Sequence, residues 1–226
     1  MLRLFVVINA HIWGFYELGR NLPGSSYISY STAGFTTYFF FSMLSRCALP
    51  TTRLAPFNKN LNIKWGHLFI ADLVWESAKI FVAICVTLSI YVVFPMRFLG
   101  VPVEMPNLPL LFSTFVIAGT FGTGFGLLLH TAKQRWAIAE ATTESIMWVI
   151  FVTSGVYMPY SLLPWYIDRY YWYSPLIAVI ENARRALDST YPVEDLSLAY
   201  SGAIALTVVF LGLSFRRWER KSRPPE

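Results

Sequence analysis

Long apolar blocks alternate with short polar segments along the whole chain. The apolar blocks cover residues 2–16, 27–44, 68–94, 108–130, 140–157 and 197–215. A helix needs about 20 mostly apolar residues to cross a bilayer, and every block except the first approaches or exceeds that length. The pattern therefore predicts an all-α integral membrane protein, a single transmembrane domain over residues 1–226 with about six transmembrane helices.

The first block, residues 2–16, is too short for a complete span. We interpret it as a truncated transmembrane helix whose beginning is missing. A secretory signal peptide is the competing interpretation, with Arg3 as its basic region, but no cleavage site of the small-x-small type follows the apolar run.

Residues 158–192, between the fifth and sixth blocks, are predicted to enter the membrane without crossing it. The segment contains four prolines, which interrupt helices, and several charged residues, which are costly in hydrocarbon. It is nevertheless strongly aromatic, with Trp165, Tyr166, Tyr170, Tyr171, Trp172 and Tyr173 close together. We predict two short re-entrant helices here, because irregular backbone is tolerated where protein or a water-filled cavity covers it. An interfacial aromatic belt is the alternative, and the two interpretations are compatible.

The distribution of basic residues predicts how the chain is oriented. Only 14% of residues are charged, whereas soluble domains carry about 25%. The net charge of +5 is spread over separate polar segments, so it does not indicate nucleic-acid binding. Most Lys and Arg lie in residues 46–64, at Lys133 and Arg135, and in the tail. The positive-inside rule then places these segments and the C-terminus in the cytoplasm and residues 158–192 outside.

Several polar or small residues inside the blocks indicate helix packing. Block 27–44 is rich in hydroxyl groups, which fits either a hydrated pathway or bonds between helices. Small residues recur at every fourth position at Ala118, Gly122 and Gly126, a spacing that lets helix backbones approach closely. Glu76 and Lys79 lie three apart on one helix face and can pair. Residues 131–139 are predicted to form a short polar connector.

The sequence contains none of the common catalytic or nucleotide-binding motifs. There is no P-loop, no H-E-x-x-H, no C-x-x-C and no G-x-S-x-G. Glu140 and Glu144 lie four apart, as an acid–base pair would, but no nucleophile or metal ligand accompanies them. We therefore predict a protein that is not an enzyme and that has no cofactor and no metal site.

The arrangement resembles the membrane subunit of type-2 ABC exporters, and in particular the permeases for capsular polysaccharide, O-antigen and similar glycans. Two stretches carry the resemblance: residues 35–76, FTTYFFFSMLSRCALPTTRLAPFNKNLNIKWGHLFIADLVWE, and residues 154–185, SGVYMPYSLLPWYIDRYYWYSPLIAVIENARR. This chain has Ser174-Pro175 where the family commonly has Asn-Pro, and Trp65 follows Lys64 where a proline is usual. The family's N-terminal amphipathic helix does not precede the first block, which suggests a fragment or a late start codon.

The resemblance implies a role in transport. It implies a homodimer with separate ABC ATPase subunits, located in the inner membrane in contact with lipids, that exports a polysaccharide or lipid-linked glycan. Residues 46–67 would be the cytoplasmic coupling segment, and Glu76 would lie on the following helix, which transmits the movement. The residues that couple to the ATPase would be Asn58, Lys59, Asn60, Lys64, Trp65, His67 and Glu76. The glycan path or gate would involve Trp165, Tyr166, Tyr170, Tyr171, Trp172, Tyr173 and Pro175. An exporter of drugs or other lipids is the alternative with the same topology, and a membrane-embedded glycolipid transferase is the alternative from a different class.

Overall fold

The computed structural model describes residues 27–47, 65–90, 106–157, 172–191 and 196–222. The regular structure in these ranges is helical. The helices are α1 (Tyr27–Cys47), α2 (Trp65–Leu88), α3 (Leu108–Arg135), α4 (Ala137–Thr153), α5 (Pro175–Leu187) and α6 (Leu198–Ser222). The described part of the chain is therefore all-α, as predicted, and its five longer helices correspond to five of the predicted apolar blocks.

Two of the described helices are long and apolar enough to cross a membrane: α3 and residues Leu198–Trp218 of α6. The other three long helices are each too polar, too charged or too short to meet this criterion. Helix α1 is rich in hydroxyl groups, α2 carries Asp72, Glu76 and Lys79, and α4 has only 17 residues. Of the six or so predicted spans, length and composition therefore support two among the described residues. Block 2–16 lies outside the described residues.

Helix α3 is the centre of the bundle and packs against α1, α4, α5 and α6. Its glycines let two neighbouring backbones come into direct contact. A Cβ atom at Gly122 would collide with the carbonyl oxygen of Phe41 on α1, and a Cβ atom at Gly124 would lie 2.5 Å from the backbone nitrogen of Val209 on α6. The close approach predicted at Gly122 is confirmed, and Gly124 adds a second one on another face.

An aromatic cluster joins α1 to α3 and α4. Phe35, Tyr38 and Phe41 are buried along one side of α1. The ring of Tyr38 lies 4.6 Å from that of Phe151 on α4, and the ring of Phe41 lies 5.4 Å from that of Phe121 on α3. Such ring pairs bury large apolar areas, so they hold α4 to the bundle through α1.

Side-chain contacts show which helix ends lie together. At one end, Arg46 at the end of α1 pairs with Glu144 on α4, and the guanidinium of Arg135 lies 5.2 Å from the Trp218 ring on α6. We call this the basic end. At the other end, the Asn107 N–H before α3 donates to the Ala186 carbonyl of α5 at 2.7 Å. Helix α5 therefore lies at the end of the bundle opposite the basic end, and we call this the α5 end.

One predicted boundary is wrong. Residues 131–139 do not form a connector, because α3 continues to Arg135, only Trp136 is extended, and α4 begins at Ala137. Lys, Gln and Arg are good helix formers, and basic side chains in the last turn are favoured by the helix dipole, so the polar residues continue α3. The coupling segment predicted at residues 46–67 begins within α1, which ends at Cys47, and ends within α2, which begins at Trp65.

Candidate functional site

The described part of the predicted re-entrant segment is α5, a buried helix of 13 residues. Ser174 is extended and Pro175 occupies the first turn, where a missing N–H costs no hydrogen bond. Pro175 therefore sets the start of α5. Most α5 side chains are buried, and these include the polar residues Glu181, Asn182 and Arg184. The first of the two predicted short helices falls on residues 158–171, which lie outside the described residues.

An ion pair lies inside α5. The Arg184 Nη1 donates to Glu181 Oε1 at 2.5 Å, and the two side chains are only 0% and 2% exposed. The residues are three apart, so one helix face presents both. A buried pair of this kind is stable only if additional hydrogen bonds satisfy the remaining polar atoms.

Arg184 makes its other contacts with two separate parts of the chain. Its Nη2 donates to the carbonyl oxygens of Gly155 and Val156, each at 2.8 Å, just after the end of α4. Its guanidinium lies 3.6 Å from the centre of the Tyr30 ring on α1, a cation–π contact. One side chain thus joins α5, α1 and the end of α4.

Two glycines make room for this arrangement. Gly155 has φ of 79°, a conformation that favours glycine, and this turn presents the two carbonyl groups to Arg184. On α1, a Cβ atom at Gly34 would lie 3.0 Å from Arg184 Nη2. Any larger residue at position 34 would therefore press directly on the guanidinium.

Tyr191 borders the same cluster. Its ring centre lies 6.0 Å from that of Tyr30. Burial raises the pKa of Tyr191, and the neighbouring Glu181 raises it further while Arg184 opposes the shift. The phenol therefore stays protonated and uncharged at neutral pH.

The aromatic residues predicted to contact glycan are described only in part. Trp172 and Tyr173 precede α5 and are 42% and 64% exposed. The Tyr173 carbonyl accepts a hydrogen bond of 3.2 Å from the Tyr200 hydroxyl on α6, which fixes the backbone there. The remaining predicted rings lie outside the described residues: Trp165, Tyr166, Tyr170 and Tyr171. Two exposed rings thus lie at the α5 end.

The predicted coupling residues are also described in part. Trp65 begins α2, His67 is exposed in its first turn, and Glu76 pairs with Lys79 as predicted. Asn58, Lys59, Asn60 and Lys64 lie outside the described residues. Helix α2 packs against α1, and its Leu73 lines a groove with Leu44 of α1 and Gly119 of α3.

An open cleft of about 200 Å³ lies between α1 and α4. Its walls are mainly aromatic and include Tyr38, Phe39, Trp148 and Phe151, and the Arg46–Glu144 pair lies beside them. The Tyr38 hydroxyl donates to the Met147 carbonyl at 2.8 Å. Glu144 is bonded to Arg46 at 2.9 Å, so this carboxylate is already engaged in an ion pair.

Comparisons with known proteins connect this architecture to transport. The chain is similar to two Escherichia coli proteins, each named polysialic acid transport protein KpsM. Each is 23% identical to it over 203 residues, which is 89% of this chain and 77% of the relative. No family model matches the chain. The similarity thus covers most of both proteins, and both relatives are named for transport.

Sequence reasoning assigned no role to Glu181, Arg184, Tyr30 or Gly155. A signal was present in the spacing of Glu181 and Arg184, since opposite charges three apart on a helix can pair. The spacing does not reveal that the pair is buried. The spacing also does not tell which of the neighbouring residues Arg184 and Arg185 is buried, because that depends on how α5 packs against the bundle.

Proposed function

We propose that this chain is the membrane-spanning permease subunit of an ABC exporter, which moves a polysaccharide or lipid-linked glycan outward across the inner membrane. The similarity to the KpsM transport proteins over 89% of the chain carries this proposal. A separate ABC ATPase subunit hydrolyses ATP, and two copies of the chain form the permease. The architecture supports the proposal, because the described helices form a bundle with large exposed apolar side chains on α2, α4 and α6, as lipid contact requires.

In this proposal the basic end faces the cytoplasm and meets the ATPase. Residues 46–67 form the coupling segment, and the Glu76–Lys79 pair stiffens the helix that follows it. The positive-inside rule supports the assignment, since Arg46, Lys133 and Arg135 lie at or next to helix termini of the basic end. The C-terminal end of α6 is then cytoplasmic too.

The α5 end then faces outward and contacts the glycan. Sugars have apolar C–H faces and polar hydroxyl rims, and exposed aromatic rings with polar tips suit both. Trp172 and Tyr173 offer such surfaces beside α5. We include Trp165, Tyr166, Tyr170 and Tyr171 in the same path. Several weak contacts favour a sliding polymer, because a site that binds too tightly would stop it.

Deletion and complementation test the function. A strain lacking the gene is expected to lose its surface glycan and to accumulate glycan inside the cell, and the wild-type gene should restore export. Trp172→Ala should reduce surface glycan while the protein still assembles with the ATPase. Phe210→Ala is the control, since Phe210 is also an exposed aromatic residue but lies midway along α6, away from both ends of the bundle.

Three results would contradict the proposal. Normal surface glycan in the deletion strain would reject a role in glycan export, and increased sensitivity to drugs in that strain would favour the exporter of drugs or other lipids. Glycosyl transfer by the purified chain without an ATPase would favour the transferase instead.

A further inference from the structure

Arg184 binds groups that no helix bond satisfies. Helix α4 ends at Thr153, so the carbonyls of Gly155 and Val156 lie beyond its last turn, where backbone acceptors need outside partners. Arg184 Nη2 supplies a donor to both at 2.8 Å. A cation at this position is also favoured by the negative end of the α4 dipole.

The Glu181–Arg184 pair joins two residues of α5 and also contacts other parts of the bundle through Arg184. If it served α5 alone, its two charges would have no reason to be buried, since well-packed apolar residues often replace a buried ion pair without loss of stability. The guanidinium instead donates to Glu181 and to the two carbonyl groups after α4 at the same time. Its flat face lies on the ring of Tyr30 of α1. Glu181 neutralises the charge, and Arg184 makes the connections between elements.

We propose that Arg184 is the positioning residue of the α5 end: it holds α5 against α1 and against the end of α4, and this placement is required for glycan to leave. The part concerning glycan rests on the proposed function, whereas the part concerning the placement of α5 does not. Neighbouring Arg185 is exposed, so substitution of this second arginine of α5 serves as the matched comparison.

Cysteine labelling tests the placement in the full-length chain in membranes. Cys47 and Cys85 are first replaced by Ser, and a single cysteine is introduced by Ala183→Cys, at a buried position on α5. N-ethylmaleimide should leave this cysteine unmodified in the parent chain and in Arg185→Met. It should modify the cysteine in the double variant Glu181→Leu/Arg184→Met, in which both charges are removed together so that no unpaired charge remains buried.

Continued protection of the cysteine in the double variant would overturn the placement. A cysteine introduced by Ser189→Cys, which is exposed, serves as the positive control for labelling in every variant. Equal amounts of each variant in the membrane, and equal thermal unfolding in detergent, show that the comparison is made between folded proteins.

Glycan export in the complemented deletion strain tests the second part. The double variant should reach the membrane and assemble with the ATPase but lose surface glycan. Arg184→Lys should also lose export, because an ammonium group cannot replace the planar fork and its contact with Tyr30. Arg185→Met should export normally.

The outcomes separate the two proposals. Normal export by the folded double variant would overturn the role of Arg184 in export while leaving the proposed function intact. Failure of the wild-type gene to restore glycan would reject the proposed function, and the labelling of the cysteine at position 183 would still decide how α5 is held.

Discussion

Glu181 and Glu144 each form an ion pair with an arginine, but one pair is buried and the other is exposed to solvent. Glu181 is buried with Arg184, whereas Glu144 is exposed with Arg46. An exposed pair gains little, because water and salt screen the attraction and ordering long side chains costs entropy. Removing one partner of a buried pair leaves a charge without compensation. The two pairs therefore predict different responses to the same change.

We expect Glu181→Gln to lower the free energy of unfolding by about 3–5 kcal/mol, because it leaves the Arg184 charge buried without its counter-ion. The same substitution at Glu144 should cost less than about 1 kcal/mol. Reversible unfolding in detergent micelles measures both, with the wild-type chain as reference. Equal losses of unfolding free energy in the two variants would show that Glu181 does not form a buried ion pair with Arg184.

At the scale of elements, the bundle depends on how closely α3 approaches its neighbours. Its glycines differ in what surrounds them. A Cβ atom at Gly122 would meet the backbone of Phe41, whereas one at Gly119 would meet the side-chain ends of Phe40 and Leu44. Side-chain ends can move aside, but a packed backbone moves only if the whole helix moves.

Gly122→Ala should therefore destabilise the protein more than Gly119→Ala. Overpacking usually costs about 1–3 kcal/mol, and we expect Gly122→Ala to lie at or above the upper value because α1 and α3 must separate. Thermal unfolding of the two variants in the same detergent measures the difference. A larger loss for Gly119→Ala would contradict the close contact between α3 and α1.

At the scale of the whole molecule, the described helices place their charged termini at one end and α5 at the other. Arg46 and Arg135 mark the basic end, and the Asn107 to Ala186 hydrogen bond marks the α5 end. If the positive-inside rule applies, a membrane separates these ends with the basic end in the cytoplasm.

Labelling of intact cells tests this orientation. A membrane-impermeant maleimide should modify a cysteine introduced by Ser189→Cys from outside, in a chain without Cys47 and Cys85. It should reach a cysteine introduced by Arg217→Cys on α6 only after the cells are opened. The reverse pattern would place the α5 end in the cytoplasm and would reject the proposed direction of export.

Much of this architecture was predictable because it depends on local patterns. Apolar blocks set the positions of α1, α3 and α6 to within three residues, except at two C-terminal ends, where residues 131–135 continue α3 and residues 216–222 continue α6. The spacing of Glu76 and Lys79 predicted their pairing, and the repeat of small residues around Gly122 predicted close packing. Each of these predictions rests on residues that lie close together along one helix, so the sequence alone carries the information.

The sequence by itself determined that the described segments are helical and, to within three residues, where each of the five longer helices begins. Only the tertiary structure decided that Arg184, and not Arg185, enters the bundle, and that it meets Tyr30, Gly155 and Val156. These partners are 28 to 154 residues away along the chain. Their meeting depends on how α1, α4 and α5 pack together, and no local periodicity encodes that choice.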